Sequence, residues 1–378
     1  MPGHIAGLDE LKRRRILVVG ATGFIGRALV EHLLELGVPA VSVFARSARK
    51  TRDWQRRGAN IIVGDLTDAQ AVADAARGKD LAINLAHDFA ADRATNERMF
   101  GNVLNAVVDA GPQRFVHVSS IVVYDGWPDQ DVTEDSPLSQ DNGDYVQTKI
   151  SAEKRIATRV DASTTTSVIV QPTIVYGAGS WLWTDVIVEK MLAGRIAVNA
   201  GGRGLCNAVH VDDVVQGLLL AATRPVPPGA KYILSAAEPV SWKQFLEAYE
   251  AMIGKSSIVY IDATHELRSR AAGAADGNMA GGAANWPAKV LGALRRELDR
   301  RLSTRFKIRT KAVLLRLTQR NNEPIFYPGP GDAGLYAARG RCLITKARSE
   351  LGYEPAIDLA KGMALTEEYV RAKYLRQA

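Results

Sequence analysis

Residues 16–26 constrain the fold more than any other part of the chain. In their sequence, ILVVGATGFIG, four apolar residues are followed by three glycines at intervals of three. Apolar residues at helical spacing come next. This predicts a buried parallel strand, a tight turn and the start of a helix. Gly20 permits the turn, Gly23 lets backbone N–H groups approach an anion, and Gly26 lets the helix pack closely on the strand. Because the positive end of that helix suits a pyrophosphate, we favour dinucleotide binding over a purely structural turn.

Further apolar runs that are typical of strands follow at residues 40–44, 60–63, 81–85 and 115–118. Helical patterns lie between them, including residues 96–110. Alternating strands and helices predict an α/β fold of the Rossmann type, with a doubly wound parallel sheet. In such a sheet ligands bind at the carboxyl ends of the strands, so the residues there are the candidate site.

The turn after the second predicted strand is basic. It contains Arg46, with Arg49 and Lys50 close behind, and no acid. A carboxylate here would hold the ribose 2′-hydroxyl of NAD, whereas an arginine accommodates the 2′-phosphate of NADP. We therefore favour NADP as the cofactor, with NAD as the alternative. The competing interpretation is a solvated basic turn that opens a helix.

The fifth predicted strand ends in Ser119 and Ser120, and a later helix opens with Tyr145 and Lys149. Spacing of four puts Tyr145 and Lys149 on one helix face, one turn apart. A lysine beside a phenol favours the phenolate, and a serine at a strand end can hold a substrate oxygen. This set suits hydride transfer between a nicotinamide and a carbinol carbon, with tyrosine moving the proton.

Composition bounds the remaining possibilities. The 378 residues are 47% apolar and 24% charged, which is ordinary for a globular protein that can bury a large core. The cysteines are Cys206 and Cys342, so we expect no disulfide framework and a reducing, cytoplasmic location. Residues 1–15 lack the apolar core of a secretory signal, and no apolar run is long enough to span a bilayer.

In these features the chain resembles the extended short-chain dehydrogenase/reductase superfamily, in its NAD-dependent epimerase/dehydratase branch. The resemblance covers residues 15 to about 260 and resumes at about 343 to 370. It is carried by GATGFIG at 20–26, GDL at 64–66, VSSIVVY at 118–124, YVQTK at 145–149, QPTIVYG at 171–177, VHVDDVV at 209–215 and ITKARSELGYEP at 344–355. It implies an NAD(P)-dependent oxidoreductase or epimerase that acts at a secondary alcohol or ketone carbon of a sugar or other ring.

The resemblance also implies roles for individual residues. Ser120 matches the catalytic serine, Tyr145 the general acid/base, and Lys149 the residue that contacts the nicotinamide ribose and tunes the tyrosine. Asn102 matches a helix asparagine with a structural or proton-relay role. No metal site is predicted. The candidate cofactor contacts are Gly20, Thr22, Gly23, Phe24, Ile25 and Gly26 at the pyrophosphate, Arg46 at the 2′-phosphate, Asp65 and Leu66 at the adenine, Leu85, Ala86, His87 and Ser119 along the trough, and Tyr145, Lys149, Pro172, Ile174 and Val175 at the nicotinamide.

Departures from the family pattern narrow the range of reactions that we expect from this chain. Ile121 and Val122 stand where sugar-nucleotide 4,6-dehydratases carry an acidic pair, so we do not expect that dehydration. Cys206 replaces the arginine with which many nucleotide-sugar epimerases grip the diphosphate, although Arg203 is a candidate substitute. Gln171 replaces the arginine of an Arg-Pro pair. An NADP-dependent ketone reductase or hydroxysteroid-type dehydrogenase is therefore the alternative, and a non-catalytic cofactor-sensing protein is a second alternative.

The predicted domain organisation has two parts. Residues 1–177 form the dinucleotide-binding core, to which strands return at about 205–235. Residues 178–378 form mainly a substrate lobe, with a basic helical insertion at about 262–342. In the lobe we favour packing over a ring-binding wall for Trp181 and Trp183. We also favour a structural over a catalytic role for His210.

Residues 286–320 are strongly basic and have leucines at helical spacing. Such a segment can lie on an anionic membrane surface, so we consider peripheral contact with the inner face of the membrane. The interpretation that we favour is a lid packed on the lobe with a solvated basic face. The expected partner is a small-molecule substrate. Nucleic acid is not expected, because no recognised nucleic-acid module accompanies the charge. The resemblance leaves open a homodimer formed through residues 96–110 and 145–159.

Overall fold

The computed structural model describes residues 7–125, 129–141, 143–160, 163–261, 308, 310–313 and 323–375. Of the basic stretch 286–320, it describes residues 308 and 310–313, so the predicted helices and surface role of that stretch lie outside the described residues. The chain divides into two compact units. The first comprises Met1–Tyr176, Asn207–Glu238 and Gly340–Asp358, and the second comprises Gly177–Cys206, Pro239–Arg339 and Leu359–Ala378.

The strands and helices of the described residues are numbered in chain order. The strands are β1 Ile16–Val19, β2 Val41–Ala45, β3 Asn60–Val63, β4 Leu81–Asn84, β5 Arg114–Val118, β6 Thr166–Pro172, β7 Ile174–Tyr176, β8 Arg195–Val198, β9 Leu205–Cys206, β10 Ala208–His210, β11 Ala230–Leu234, β12 Val240–Ser241, β13 Ile258–Tyr260 and β14 Ile325–Phe326. The helices are α1 Leu8–Arg13, α2 Phe24–Glu35, α3 Arg52–Arg56, α4 Ala69–Ala76, α5 Arg93–Ala110, α6 Asp144–Arg159, α7 Val186–Ala193, α8 Val211–Thr223, α9 Trp242–Ile253, α10 Pro330–Tyr336 and α11 Leu359–Val370.

The first unit is built on a parallel sheet with the strand order β11-β6-β5-β4-β1-β2-β3. The chain starts at β1, runs outward to β3, and then returns to β4 on the other side of β1. The predicted doubly wound sheet is therefore confirmed. The carboxyl ends of β1 and β4 form the point at which the strand order reverses, and in open α/β sheets this is where a ligand-binding crevice opens.

Buried apolar residues on both faces of the sheet explain why these segments form strands. Every residue of β1, β2, β4 and β5 is buried. Leu29 of α2 and Leu218 of α8 belong to the apolar cluster on one face, whereas Val103 of α5 and Ile156 of α6 belong to a separate cluster on the other. Helices that cover both faces of a parallel sheet give near-continuous apolar strands, which is the pattern read in the sequence.

Residues 340–358, which come late in the sequence, also belong to the first unit. The side-chain amide of Asn207 donates to the Gly340 carbonyl at 3.0 Å and accepts from the Cys342 N–H at 2.9 Å. Val132 and Cys342 form an isolated parallel bridge. The predicted boundary put residues 178–378 mainly in the lobe, but residues 340–358 belong to the first unit, because these long-range hydrogen bonds tie them there.

The second unit combines small sheets with helices. Strands β13, β8 and β14 form one parallel sheet, and β9 pairs antiparallel with β12. Ser241 caps α9 in a reciprocal capping box with Gln244. The Trp183 ring lies 5.6 Å from that of buried Trp242, whereas Trp181 is 51% exposed. Of the predicted pair, Trp183 therefore packs as expected, whereas Trp181 is half exposed. Within the described part of the chain, no helix has the length and apolarity to cross a bilayer.

Candidate active site

The glycine turn after β1 is shaped for close backbone contact. Gly20 has φ +82°, and a Cβ there would lie 2.6 Å from the Ala86 nitrogen. A Cβ on Gly26 would lie 2.4 Å from the Gly20 carbonyl oxygen. Gly23 is the N-cap of α2, and no side chain caps that end of the helix. The turn therefore packs directly on the residues that follow β4 and leaves the N-terminal N–H groups of α2, at Phe24 and Ile25, without a side-chain cap. Thr22 is half-buried in the same turn.

The residues predicted for the adenosine end lie at the ends of β2 and β3. The Arg46 side chain is 76% exposed, and its guanidinium pairs with Asp88 at 3.4 Å. The Asp65 carboxylate accepts hydrogen bonds from the Thr67 N–H and hydroxyl, which lower the pKa of Asp65. The Leu66 carbonyl accepts a hydrogen bond of 2.8 Å from Asn102 of α5. Asp65 is thus ionised and exposed, and Asn102 anchors the turn beside it.

Strand β5 and helix α6 bring together the three predicted catalytic side chains. Ser120 follows β5, and its hydroxyl interacts with the Tyr145 phenol and acts to lower the pKa of Tyr145. Lys149 is 5% exposed, and its ammonium donates to the Val118 carbonyl at 2.8 Å. The Lys149 nitrogen lies 5.7 Å from the centre of the Tyr145 ring. One serine, one phenol and one ammonium therefore share the carboxyl end of β5, as the spacing predicted.

The pKa values at this site differ in part from expectation. Burial lowers the pKa of Lys149 to about 8, against an opposing effect of the Glu153 carboxylate. Burial raises the pKa of Tyr145, against the opposing effect of the Ser120 hydroxyl. The expected lowering of the phenol pKa by Lys149 is not seen, because Lys149, with a pKa of about 8, loses its charge before the phenol ionises. Tyr145 is therefore protonated at neutral pH.

Two aromatic side chains from the loop after β4 lie against Tyr145. The His87 ring is edge-on to the Tyr145 ring at 4.9 Å, and the Phe89 ring lies tilted over it at 5.3 Å. Burial lowers the pKa of His87 to about 4, and the charge of Lys149 adds to this, so the imidazole is neutral at pH 7. His87 was predicted as a cofactor contact. Phe89 was missed, because nothing in the sequence indicates which loop side chain reaches the tyrosine.

The buried carboxylate of Glu153 lies beside the candidate active site. Glu153 is 3% exposed and accepts hydrogen bonds from the Ser119 hydroxyl and, at 2.9 Å, from the Gln171 amide. The Lys231 ammonium of β11 pairs with it at 2.8 Å. Sequence reasoning missed Glu153 and Lys231. The available signal was the spacing of four between Lys149 and Glu153, which puts both on one face of α6.

The residues predicted beside the carboxamide lie at the carboxyl end of the sheet. Pro172 ends β6, and Ile174 and Val175 lie in β7, where they pair with Ala208 and Val209 of β10. All three predicted residues are buried. Among the described residues, no group of His, Cys, Asp or Glu side chains has the arrangement that a metal ion needs.

His210 and Cys206 have structural surroundings. The Nδ1 of buried His210 accepts from the Asp212 N–H at 3.3 Å and so caps α8. Cys206 is fully buried in β9, so the position offers neither charge nor exposed surface to a diphosphate.

Comparison with known proteins gives consistent matches. A sequence profile described as the NAD-dependent epimerase/dehydratase family matches residues 16–234. The chain is 32% identical over 240 residues to the 4-hydroxy-2-methyl-3-oxo-4-farnesyl-3,4-dihydroquinoline-1-oxide ketoreductase of Stigmatella aurantiaca, a match that covers 61% of this chain and 71% of the relative. It is 28% identical to a 3-beta-hydroxysteroid dehydrogenase of Mycolicibacterium neoaurum, over 64% of this chain and 70% of that protein.

Solved structures match the fold over nearly the whole chain. A double mutant of DesIV, a dTDP-glucose 4,6-dehydratase from Streptomyces venezuelae solved with NAD and DAU bound, superposes with a TM-score of 0.66. It is 20% identical and covers 95% of this chain and 97% of its own. At that identity the likeness concerns the fold.

Proposed function

The chain belongs to the NAD-dependent epimerase/dehydratase family, and from that membership we propose that it is an NAD(P)-dependent ketone reductase or hydroxysteroid-type dehydrogenase. The reaction is hydride transfer between a nicotinamide and a secondary alcohol or ketone carbon. The observation that carries the proposal is the position of the Tyr145 phenol beside the buried Lys149 ammonium and next to Ser120, at the carboxyl end of β5. Relatives named as a ketoreductase and a hydroxysteroid dehydrogenase favour net redox chemistry over sugar epimerisation.

The residues after β1 suit a dinucleotide. A Cβ at Gly20 or Gly26 would collide with backbone, and the open end of α2 offers N–H groups to a pyrophosphate. When bound, the nicotinamide supplies or accepts the hydride. For the adenosine end we propose NADP, because Arg46 is exposed at the end of β2 and can exchange Asp88 for a 2′-phosphate.

The catalytic side chains divide the work on the substrate oxygen. In ketone reduction, Ser120 donates a hydrogen bond to the carbonyl oxygen and Tyr145 gives it a proton. The raised pKa of Tyr145 keeps the phenol protonated at neutral pH, which suits reduction. The Lys149 ammonium, whose pKa is about 8, stabilises the phenolate that remains. Oxidation of an alcohol needs the phenolate at the outset, so it is favoured at higher pH.

Replacement of the phenol tests the proposal. We expect Tyr145→Phe to lose on the order of 100- to 10,000-fold in kcat for ketone-dependent NADPH oxidation, while NADPH affinity changes little. Tyr260→Phe removes an exposed hydroxyl of the second unit that bonds to Glu247, and it is the matched control. Turnover by Tyr145→Phe at the wild-type rate would refute the assigned role.

The amount of NADPH consumed per substrate converted distinguishes a reductase from an epimerase and from a cofactor-sensing protein. A reductase consumes one NADPH for each ketone reduced, whereas an epimerase turns over with no net consumption. A cofactor-sensing protein would bind NADPH and reduce no ketone. A parallel titration with NADPH and NADH tests the cofactor preference, and Arg46→Ala should weaken NADPH binding more than NADH binding.

A further inference from the structure

Phe89 has the most exposed ring among the large hydrophobic side chains of the described residues, with 72% of its surface accessible. It lies in the candidate active site, because its ring centre is 5.3 Å from that of Tyr145. An exposed apolar side chain on a surface is ordinary, but one that lies against the proton-transferring phenol will be covered when a substrate binds.

The backbone that carries Phe89 is held from both sides. Asn96 is 5% exposed, and its side-chain amide accepts from the Asp88 N–H and donates to the Asp88 carbonyl, each at 2.9 Å. The Asp88 carboxylate accepts from the Ala90 N–H at 2.9 Å. These bonds fix the residues before and after Phe89. The hydrogen bonds of this loop therefore hold the Phe89 ring in its exposed position.

The rings that contact Phe89 are those of His87 and Tyr145, and neither is charged at neutral pH. The His87 ring is edge-on to Phe89 at 4.7 Å, and it is neutral at pH 7 because burial holds its pKa near 4. The Asp88 carboxylate is engaged with Ala90 and Arg46. Polar sugar hydroxyls would gain little from this wall, whereas an apolar ring or alkyl chain would lose its contact with water there.

We propose that Phe89 contacts the substrate and selects for an apolar ring or alkyl group next to the reacting carbon. The proposal deepens the reductase function above and rests on it. Phe89 would act through ground-state contact, so its loss should raise KM more than it lowers kcat.

The test compares trans-2-decalone, an apolar bicyclic ketone, with tetrahydropyran-4-one, a polar ring ketone, in NADPH oxidation. We expect the wild type to prefer decalone at least about tenfold in kcat/KM, and Phe89→Ala to lower that preference about tenfold, mainly through KM. Phe89→Leu keeps an apolar side chain and should retain most of the preference. Leu365→Ala, which removes an exposed leucine of α11 in the second unit, is the matched control. An unchanged preference in Phe89→Ala would overturn the proposal.

A binding measurement separates failure of this proposal from failure of the reductase function. Quenching of NADPH fluorescence by trans-2-decalone, measured in a Tyr145→Phe background that suppresses ketone reduction, reports binding to the enzyme–NADPH complex. Phe89→Ala should raise the decalone Kd about tenfold and leave the NADPH Kd unchanged. If decalone binds through Phe89 but no ketone is reduced, the reductase function fails and the contact stands. If Phe89→Ala weakens NADPH binding and not decalone binding, the ring contacts the cofactor and the proposal fails.

Discussion

Two buried carboxylates, Glu153 in the first unit and Asp185 in the second, are held by similar partners and differ in what they support. Glu153 pairs with Lys231 and accepts hydrogen bonds from Ser119 and Gln171. Asp185 pairs with Lys373 and accepts from two tyrosine hydroxyls, those of Tyr369 and Tyr374. Each carboxylate is compensated by one lysine and two neutral donors, which is what a buried charge requires.

The neighbours of the two carboxylates separate their roles. Glu153 lies one turn after Lys149 on α6, and Ser119 precedes Ser120, so its partners belong to the candidate active site. Asp185 precedes α7, and its donors lie at and beyond the end of α11, so it ties a C-terminal segment into the second unit. The same local chemistry therefore lies beside the candidate active site in one unit and ties down a C-terminal segment in the other.

The largest effect is expected for Glu153→Gln. The change leaves Lys231 without its counter-charge and should lower the free energy of unfolding by about 2–3 kcal/mol, near the lower limit for a buried pair because Lys231 is partly exposed. It should also lower kcat, because Ser119 and Lys149 lose a fixed neighbour. Glu97→Gln, at an exposed helical pair with Arg93, should change stability by less than about 0.5 kcal/mol. Denaturant unfolding and kcat per folded molecule are the measurements. A normal kcat would leave Glu153 with a structural role.

Asp185→Asn should cost a similar 2–3 kcal/mol of unfolding free energy, because Lys373 loses its counter-charge. Here kcat and KM should stay at wild-type values at temperatures where the protein remains folded, since the contacts of Asp185 are with α11 and the segment after it. Glu367→Gln, at an exposed pair with Arg371, is the control. A fall in kcat comparable to that of Glu153→Gln would remove the distinction between the two carboxylates.

The pH dependence of kcat tests the same difference between Glu153 and Asp185. Lys149 carries its charge below its pKa of about 8, so kcat for ketone reduction should fall as the pH rises through 8. Burial is the main cause of that lowered pKa, and the Glu153 charge opposes it. Removing this charge in Glu153→Gln should lower the pKa further, and the alkaline limb should move to lower pH. Asp185→Asn should leave the limb in place. A limb that does not move in Glu153→Gln would show that Lys149 does not control it.

The smallest effects are expected where one neutral donor is removed from each carboxylate. Ser119→Ala and Tyr374→Phe should each lower the free energy of unfolding by about 1 kcal/mol, the usual net value of a hydrogen bond. Only Ser119→Ala should also reduce kcat, because it borders Ser120. Thermal unfolding and kinetics of both variants test this, and equal kinetic effects would contradict it.

Much of the fold and of the site was readable from the sequence. The strand–turn–helix of residues 16–26, the strands that alternate with helices, and the positions of Ser120, Tyr145 and Lys149 follow from local patterns. The resemblance to the NAD-dependent epimerase/dehydratase family is confirmed by the profile match to residues 16–234. Helix α5 begins at Arg93 and not at residue 96, because Asp92 caps it, and a cap three residues earlier does not alter the apolar pattern that predicted the helix.

The sequence by itself determined the elements that have a local cause. These are the close turn that needs its three glycines, the buried strands that form from apolar runs, and the tyrosine and lysine that stand one helical turn apart. The tertiary structure decided which distant residues meet them. Lys231 reaches Glu153 across 78 positions and Lys373 reaches Asp185 across 188, and a loop held by Asn96 brings Phe89 against Tyr145. Such pairings depend on how the whole chain closes around its core. A buried charge needs a partner, but nothing in its local sequence specifies which one.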